Sequence, residues 1–231
     1  MRRSRTEDRL ERVLIEARRR SLIGSLPLAV QRAHSEGFLK PLLMETLNGP
    51  VLELGSGGGL PGLVLAVERR DLRLVLLDSA RRSVDFLRWA VAELELLSRV
   101  EVVNARAEQL GREERYRGSF AAVIARSFGP PAVTAECAAP LLQTGGRLIV
   151  SEPPGGDLQA ARGRLLPSAL RWPVEGCQKL GLLPELGLRE PFGFAVLRQV
   201  SLCSDRYPRR PGIPAKRPLF SQLPQAEATP R

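Results

Sequence analysis

A chain of 231 residues with a formal net charge of +10 and a sequence pI near 10.8 has room for one α/β domain with a full core and short extensions. The charge favours an anionic partner, and nucleic acid is the usual one for a globular basic chain. Three scattered cysteines, Cys137, Cys177 and Cys203, support neither a disulfide framework nor a zinc site. No apolar run approaches a membrane span and the N-terminus lacks an apolar signal core, so a soluble, cytoplasmic protein without metal is expected.

In chain order, residues 1 to about 20 mix arginine with Glu7, Asp8, Glu11 and Glu16, while Leu10, Val13, Leu14 and Ala17 recur at helical spacing. This predicts an amphipathic helix whose basic face is either simply solvated or an RNA contact. A second helical stretch is predicted between Pro27 and Leu47. It holds the single histidine, His34, which lines a substrate cleft or is an ordinary partly buried side chain. Residues 1–48 are thus expected to form an N-terminal helical segment ahead of a catalytic domain over 49–203.

Val51 to Leu54 is an apolar run broken only by Glu53, followed by Gly55-Ser56-Gly57-Gly58-Gly59-Leu60-Pro61-Gly62 and the apolar Leu63 to Val67. Strand, glycine loop and helix N-terminus together form a cradle for the polar end of a nucleotide-like cofactor, though a glycine cluster alone also reads as a plain turn. Leu74 to Leu77 predicts a second buried strand. It ends in Asp78, about 20 residues past the glycines, where an acid accepts hydrogen bonds from ribose hydroxyls. The form Glu53-x-Gly55-x-Gly57-x-Gly59 resembles the first motif of doubly wound S-adenosylmethionine-dependent methyltransferases. A nicotinamide dinucleotide would need its pyrophosphate held at a differently spaced loop.

Ser79 to Leu97 places Val84, Leu87, Val91 and Leu94 on one face and predicts a crossover helix. Further strands are predicted at Val100 to Val103, Phe120 to Ala125 and Gly146 to Ser151. This alternation predicts a doubly wound, Rossmann-like, mostly parallel sheet with helices on both faces. Asp78, Glu108 and Arg126 fall at its ligand edge. Beyond Pro153-Pro154, a helix near Leu158 to Leu166 and strands near Glu175 to Leu182 and Phe192 to Val200 would complete an antiparallel edge. Residues 204–231, rich in proline and basic side chains, are expected to be an extended or disordered basic tail that holds RNA by charge.

Several stretches taken together resemble the RsmG (GidB) family of 16S ribosomal RNA guanine-N7 methyltransferases. They are the glycine loop with Leu60-Pro61-Gly62, Leu77-Asp78-Ser79, the helix with Arg82 and Phe86-Leu87, Arg106-Ala107-Glu108, Ala125-Arg126-Ser127, and Tyr207-Pro208-Arg209-Arg210-Pro211-Gly212-Ile213-Pro214. The resemblance implies S-adenosylmethionine as cofactor and 16S rRNA or a small-subunit precursor as partner. By position, Gly55 and Leu60, with Gly57 and Gly59 in the same loop, would frame the methionine moiety, Asp78 the ribose, and Ala107 with Glu108 the adenine. Arg126 would stand at the cleft between cofactor and substrate as the residue acting on the target. Members usually carry phenylalanine at the position of Leu60 and a lysine where this chain reads Ser151-Glu152-Pro153. Their Asn-Leu-Thr stretch is not recognisable near Leu26 to Ala29. A glutamate near an RNA cleft would oppose phosphate binding. A same-fold enzyme acting on a small molecule or a protein, or a cofactor-binding protein without RNA activity, stands as the alternative.

Overall fold

The computed structural model describes residues 5–152, 171–185 and 192–220. Seven strands form one sheet in the order β3-β2-β1-β4-β5-β7-β6. Strands β1 (Val51–Leu54), β2 (Leu74–Asp78), β3 (Val100–Asn104), β4 (Phe120–Ala125) and β5 (Leu142–Ser151) run parallel. β7 (Phe194–Gln199) adds antiparallel to the β5 edge, and β6 (Leu182–Pro184) adds antiparallel to β7. The doubly wound reading therefore holds, and the order reverses beside β1, where such sheets open a crevice at the carboxyl ends of their strands.

Period-two alternation assigns each strand residue to a face. Val51, Leu74, Leu76, Ala122 and Ile124 point into a core shared with α1 (Arg5–Arg19), α4 (Gly62–Glu68) and α5 (Arg81–Glu93), while Leu52, Leu54, Val75, Leu77 and Val123 point into the opposite core. The same alternation puts Glu53, Asp78 and Arg126 on the first face, so three ionisable groups meet under one set of helices.

The N-terminal helix forms where its spacing predicts. Leu10, Val13, Leu14 and Ala17 are all buried, joining the core that holds α4 and α5; each leucine contributes about 1.5–3 kcal/mol by leaving water. Glu7 and Asp8 in its first turn and Arg18 and Arg19 in its last complement the helix dipole. Several of its arginines are ion-paired: Arg9 with Glu95, Arg12 with Glu93, and Arg19 and Arg20 with Glu16. The second stretch divides into α2 (Leu28–Gly37) and α3 (Leu39–Leu42). In α5, Val84, Leu87 and Val91 are buried as expected, as is Leu94 just past its end.

Two expectations are corrected. The strand expected over Glu175 to Leu182 is a short helix, α8 (Val174–Gln178), followed by β6. Pro173 opens the helix, Cys177 and Leu180 bury one face, and Gly181, with φ +76°, turns the chain into the strand. The tail expected to be loose is packed as far as Phe220: Tyr207 and Pro208 are buried, and α9 (Ile213–Lys216) touches α7 (Pro131–Ala138). It is held by apolar burial of Cys203 and Tyr207 and by hydrogen bonds and an ion pair to distant partners such as Glu136, which a composition of proline and arginine does not reveal. The helix expected near Leu158 to Leu166 and the end of the tail lie outside the described residues.

Candidate functional site

The loop after β1 is shaped by glycines in the left-handed region: Gly55, Gly57 and Gly59 have φ of +66°, +51° and +84°. Side chains there would be strained, and the loop folds flat over the strand tips. At Gly62 the constraint is space, because a Cβ would run into Glu53 Oε2 and Leu76 Cδ2. The loop's donors turn inward more than a bare glycine cradle suggests. Gly57 N–H donates to Asp78 Oδ2 at 2.8 Å and Gly62 N–H to Glu53 Oε1 at 3.2 Å. Such a loop suits a cofactor lacking phosphate, whose polar groups are met by side chains at the sheet edge. Leu60 is buried at 7% exposure in the apolar cluster beneath.

Asp78 closes the first contact. Its second oxygen, Oδ1, accepts from Ala80 N–H at 2.8 Å, and its carbonyl accepts from Ala105 N–H and Asn104 Nδ2. The residue is partly exposed, and each carboxylate oxygen keeps a lone pair for a ribose hydroxyl.

Arg126 follows β4 directly and is half-buried. Its Nη2 donates to Gln31 Oε1 at 3.3 Å, while Nη1 is buried without a protein partner among the described residues. Burial lowers its pKa and Glu53 raises it, with burial prevailing. Glu53 is fully buried, and burial pushes its carboxyl up to about 7 against the lowering effects of Ser56, Gly62 and Arg126. Its Oε2 also has no partner among the described residues. His34, stacked on Phe192 with centroids 4.6 Å apart, is held at about 4 by burial and by Arg126, so it is neutral at physiological pH. Three buried polar atoms without partners among the described residues, Arg126 Nη1, Glu53 Oε2 and His34 Nε2, thus belong to electrostatically coupled residues. Buried polar groups are ordinarily satisfied, and a cluster of exceptions beside a strand-end crevice fits a ligand site.

Ala107 and Glu108 begin α6 (Ala107–Leu110) beyond β3, and both are buried. Burial raises the Glu108 pKa, but Arg106 and the Gly212 N–H outweigh it and hold the carboxyl below its ordinary value. The carboxylate accepts from Arg106 Nη2 at 3.0 Å and from Gly212 N–H at 2.9 Å. Of the residues expected to bind, Glu108 is therefore turned toward the C-terminal segment.

Some residues at the site escape sequence reasoning. Phe128 lies over the loop, since a Cβ on Gly55 would be 2.8 Å from its ring. Leu22 and Ile23 cover Gly58, where a Cβ would meet Ile23 Cγ2. Gln31 joins Arg126 to the connection above, donating from Nε2 to the carbonyls of Gly24 and Leu26. Only Glu53 left a signal, as an acid inside a buried strand. Glu152, expected to repel RNA, is ion-paired with Arg171 and accepts from Trp172 Nε1 at 2.9 Å, so its charge is locally compensated.

The left-handed loop, the open lone pairs of Asp78 and the unpartnered buried polar atoms fit S-adenosylmethionine, and the fold is that of the doubly wound methyltransferases. A Klebsiella pneumoniae protein assigned as an O-methyltransferase superposes with a TM-score of 0.59 at 15% identity, covering 86% of this chain and 91% of that one. Geranyl diphosphate C-methyltransferase from Streptomyces coelicolor, solved with S-adenosyl-L-homocysteine, gives 0.53 at 13% identity, covering 73% and 79%. The family model for rRNA small subunit methyltransferase G (GidB) matches residues 39–152. The Rubrobacter xylanophilus ribosomal RNA small subunit methyltransferase G is 36% identical over 205 residues, 87% of this chain and 78% of that protein. The Thermotoga maritima protein of the same name is 37% identical over 178 residues, 77% and 72% of the two chains. The chain belongs to the rRNA small subunit methyltransferase G family, a family of S-adenosylmethionine-dependent methyltransferases.

Proposed function

We propose that this protein methylates N7 of a guanine in 16S rRNA within the small ribosomal subunit or its precursor, in the cytoplasm. The observation that supports this reading is the half-buried Arg126 with an unpartnered Nη1 at the end of β4, in a chain whose relatives are named for the small-subunit RNA. S-adenosylmethionine, when bound, supplies an electrophilic methyl group on sulfur. Asp78 would hold its ribose, the loop from Gly55 to Leu60 its methionine part, and the turn at Ala107 and Glu108 its adenine.

The protein's work is then positioning. Guanine N7 offers a lone pair and carries no proton, so no general base is required. A neutral His34 and a Glu53 titrating near 7 are compatible with that. Arg126 presents a donor to the Hoogsteen edge, where O6 lies beside N7, or to a flanking phosphate. Gln31 fixes the guanidinium from the other side. Orientation of this kind is a large source of rate when no proton moves. Exposed arginines such as Arg82 and Arg210 add phosphate attraction. Mapping modified guanines in 16S rRNA by mass spectrometry, from cells with and without the gene, tests the proposal. Loss of one 7-methylguanosine is expected, and an unchanged map overturns it.

A further inference from the structure

The C-terminal segment is bound at both ends of the four-residue helix that carries Ala107 and Glu108. At its start, Gly212 N–H donates to Glu108 Oε1. At its end, Pro208 lies against Gly111, where a Cβ would be 3.0 Å from Pro208 Cγ. Just beyond, Arg117 donates from Nη1 to the carbonyls of Gly111 and Tyr207 at 2.9 and 2.8 Å, and from Nη2 to that of Cys203 at 2.8 Å. A single helical turn has little stability of its own, so these bonds determine where it sits.

The segment is anchored in turn to α7. Arg209 donates to Glu136 from its backbone N–H at 2.9 Å, from Nε at 2.8 Å and from Nη2 at 2.6 Å. The Glu136 side chain is completely buried. A buried ion pair adds little net stability over an apolar pair, but each partner makes the other obligatory and specifies one arrangement. Arg209 also donates from Nη2 to the carbonyl of Arg217 at 2.7 Å, so its Nε and Nη2 donors are committed to the protein.

We infer that the segment from Cys203 to Arg217 is a clamp that sets the β3–α6 turn, making Arg209 and Glu136 positioning residues for the adenine end of the cofactor site. This rests on the proposal that Ala107 and Glu108 face the adenine. It reverses the expectation that this part of the tail is chiefly an RNA-binding arm.

The test compares the full-length wild type with Arg209→Lys, Arg209→Ala and the double variant Arg209→Ala/Glu136→Gln. The double variant leaves no uncompensated buried carboxylate and keeps the question answerable if Arg209→Ala fails to fold. Each protein is titrated with S-adenosylhomocysteine and with S-inosylhomocysteine, which has a 6-oxo group and an N1–H where the adenine has its amino group and N1 acceptor, and separately with small-subunit RNA. The double variant should lose about tenfold in affinity for the adenine compound, the weight of roughly one hydrogen bond. Its preference for adenine over hypoxanthine should shrink, RNA affinity should hold, and Arg209→Lys should recover part of the loss. An unchanged preference in a folded double variant, or equal losses for both compounds, overturns the clamp. A wild type that binds neither compound removes the cofactor reading beneath it.

Discussion

The backbone N–H of Gly57 donates to Asp78 Oδ2 at 2.8 Å, tying the glycine loop to the tip of the neighbouring strand. The bond makes Asp78 hold the loop, and in the proposed function the same carboxylate also meets the ribose. Asp78→Ala should weaken cofactor binding by about 1–3 kcal/mol, the range for losing hydrogen bonds to a charged group. Asp78→Asn should retain part of it, because one carbonyl oxygen still accepts from Gly57. Calorimetry with S-adenosylhomocysteine decides this, and an unchanged affinity in Asp78→Ala removes the residue from the site.

Arg126 is joined to the protein chiefly through Gln31. Arg126→Ala should lower single-turnover methylation about 10- to 100-fold, the equivalent of one charge-assisted hydrogen bond, and lower cofactor affinity far less. Gln31→Ala should follow the same pattern more weakly, since the guanidinium loses its brace and not its charge. Equal losses in rate and cofactor affinity would place Arg126 on the cofactor alone.

Glu53 makes stability depend on pH. Between the ordinary carboxyl value of 4.5 and its folded value of about 7, the folded chain keeps a proton that the unfolded chain has released. Stability from this group therefore falls as pH rises through that window. His34, lowered from 6.5 to about 4, has the opposite sense: the unfolded chain takes the proton first, and stability falls as pH drops from 6.5 toward 4. Glu53→Gln should gain stability over wild type with rising pH, on the order of 3 kcal/mol near pH 8. Its remaining acid-side loss should include that of His34, joined toward low pH by carboxyls held below their ordinary value such as Glu108. Parallel melting curves for the two proteins from pH 5 to pH 8 would show that Glu53 ionises normally.

The N-terminal helix belongs to the main core. Leu14, 2% exposed, should cost about 2–5 kcal/mol as Leu14→Ala. Thermal unfolding should show one transition at a lower temperature. A variant that melts like wild type would make α1 an appendage.

Most of this architecture was legible because it is written in local periodicity. Leu10, Val13, Leu14 and Ala17 name their own buried face, and Phe120 to Ala125 names its strand without error. That Asp78 ends the second strand was legible from the apolar run before it. What escaped depends on long-range partners. Nothing near Arg209 announces Glu136, 73 residues away, so a proline- and arginine-rich ending read as loose. Gln31 and Phe128 carry no pattern of their own and matter because the fold lays them beside Arg126 and Gly55. Glu53 was visible as an anomaly in an apolar run, but its burial against Gly62 needed the helix to be placed above it.

The central claim is met most directly by adding the purified protein and methyl-labelled S-adenosylmethionine to small ribosomal subunits from cells that lack the gene, then digesting the RNA and identifying the labelled nucleoside by mass spectrometry. The account predicts label in 7-methylguanosine at a single position of 16S rRNA, strongly reduced with Arg126→Ala. Label in a different nucleoside, or none in RNA from a protein that binds the cofactor normally, would contradict it.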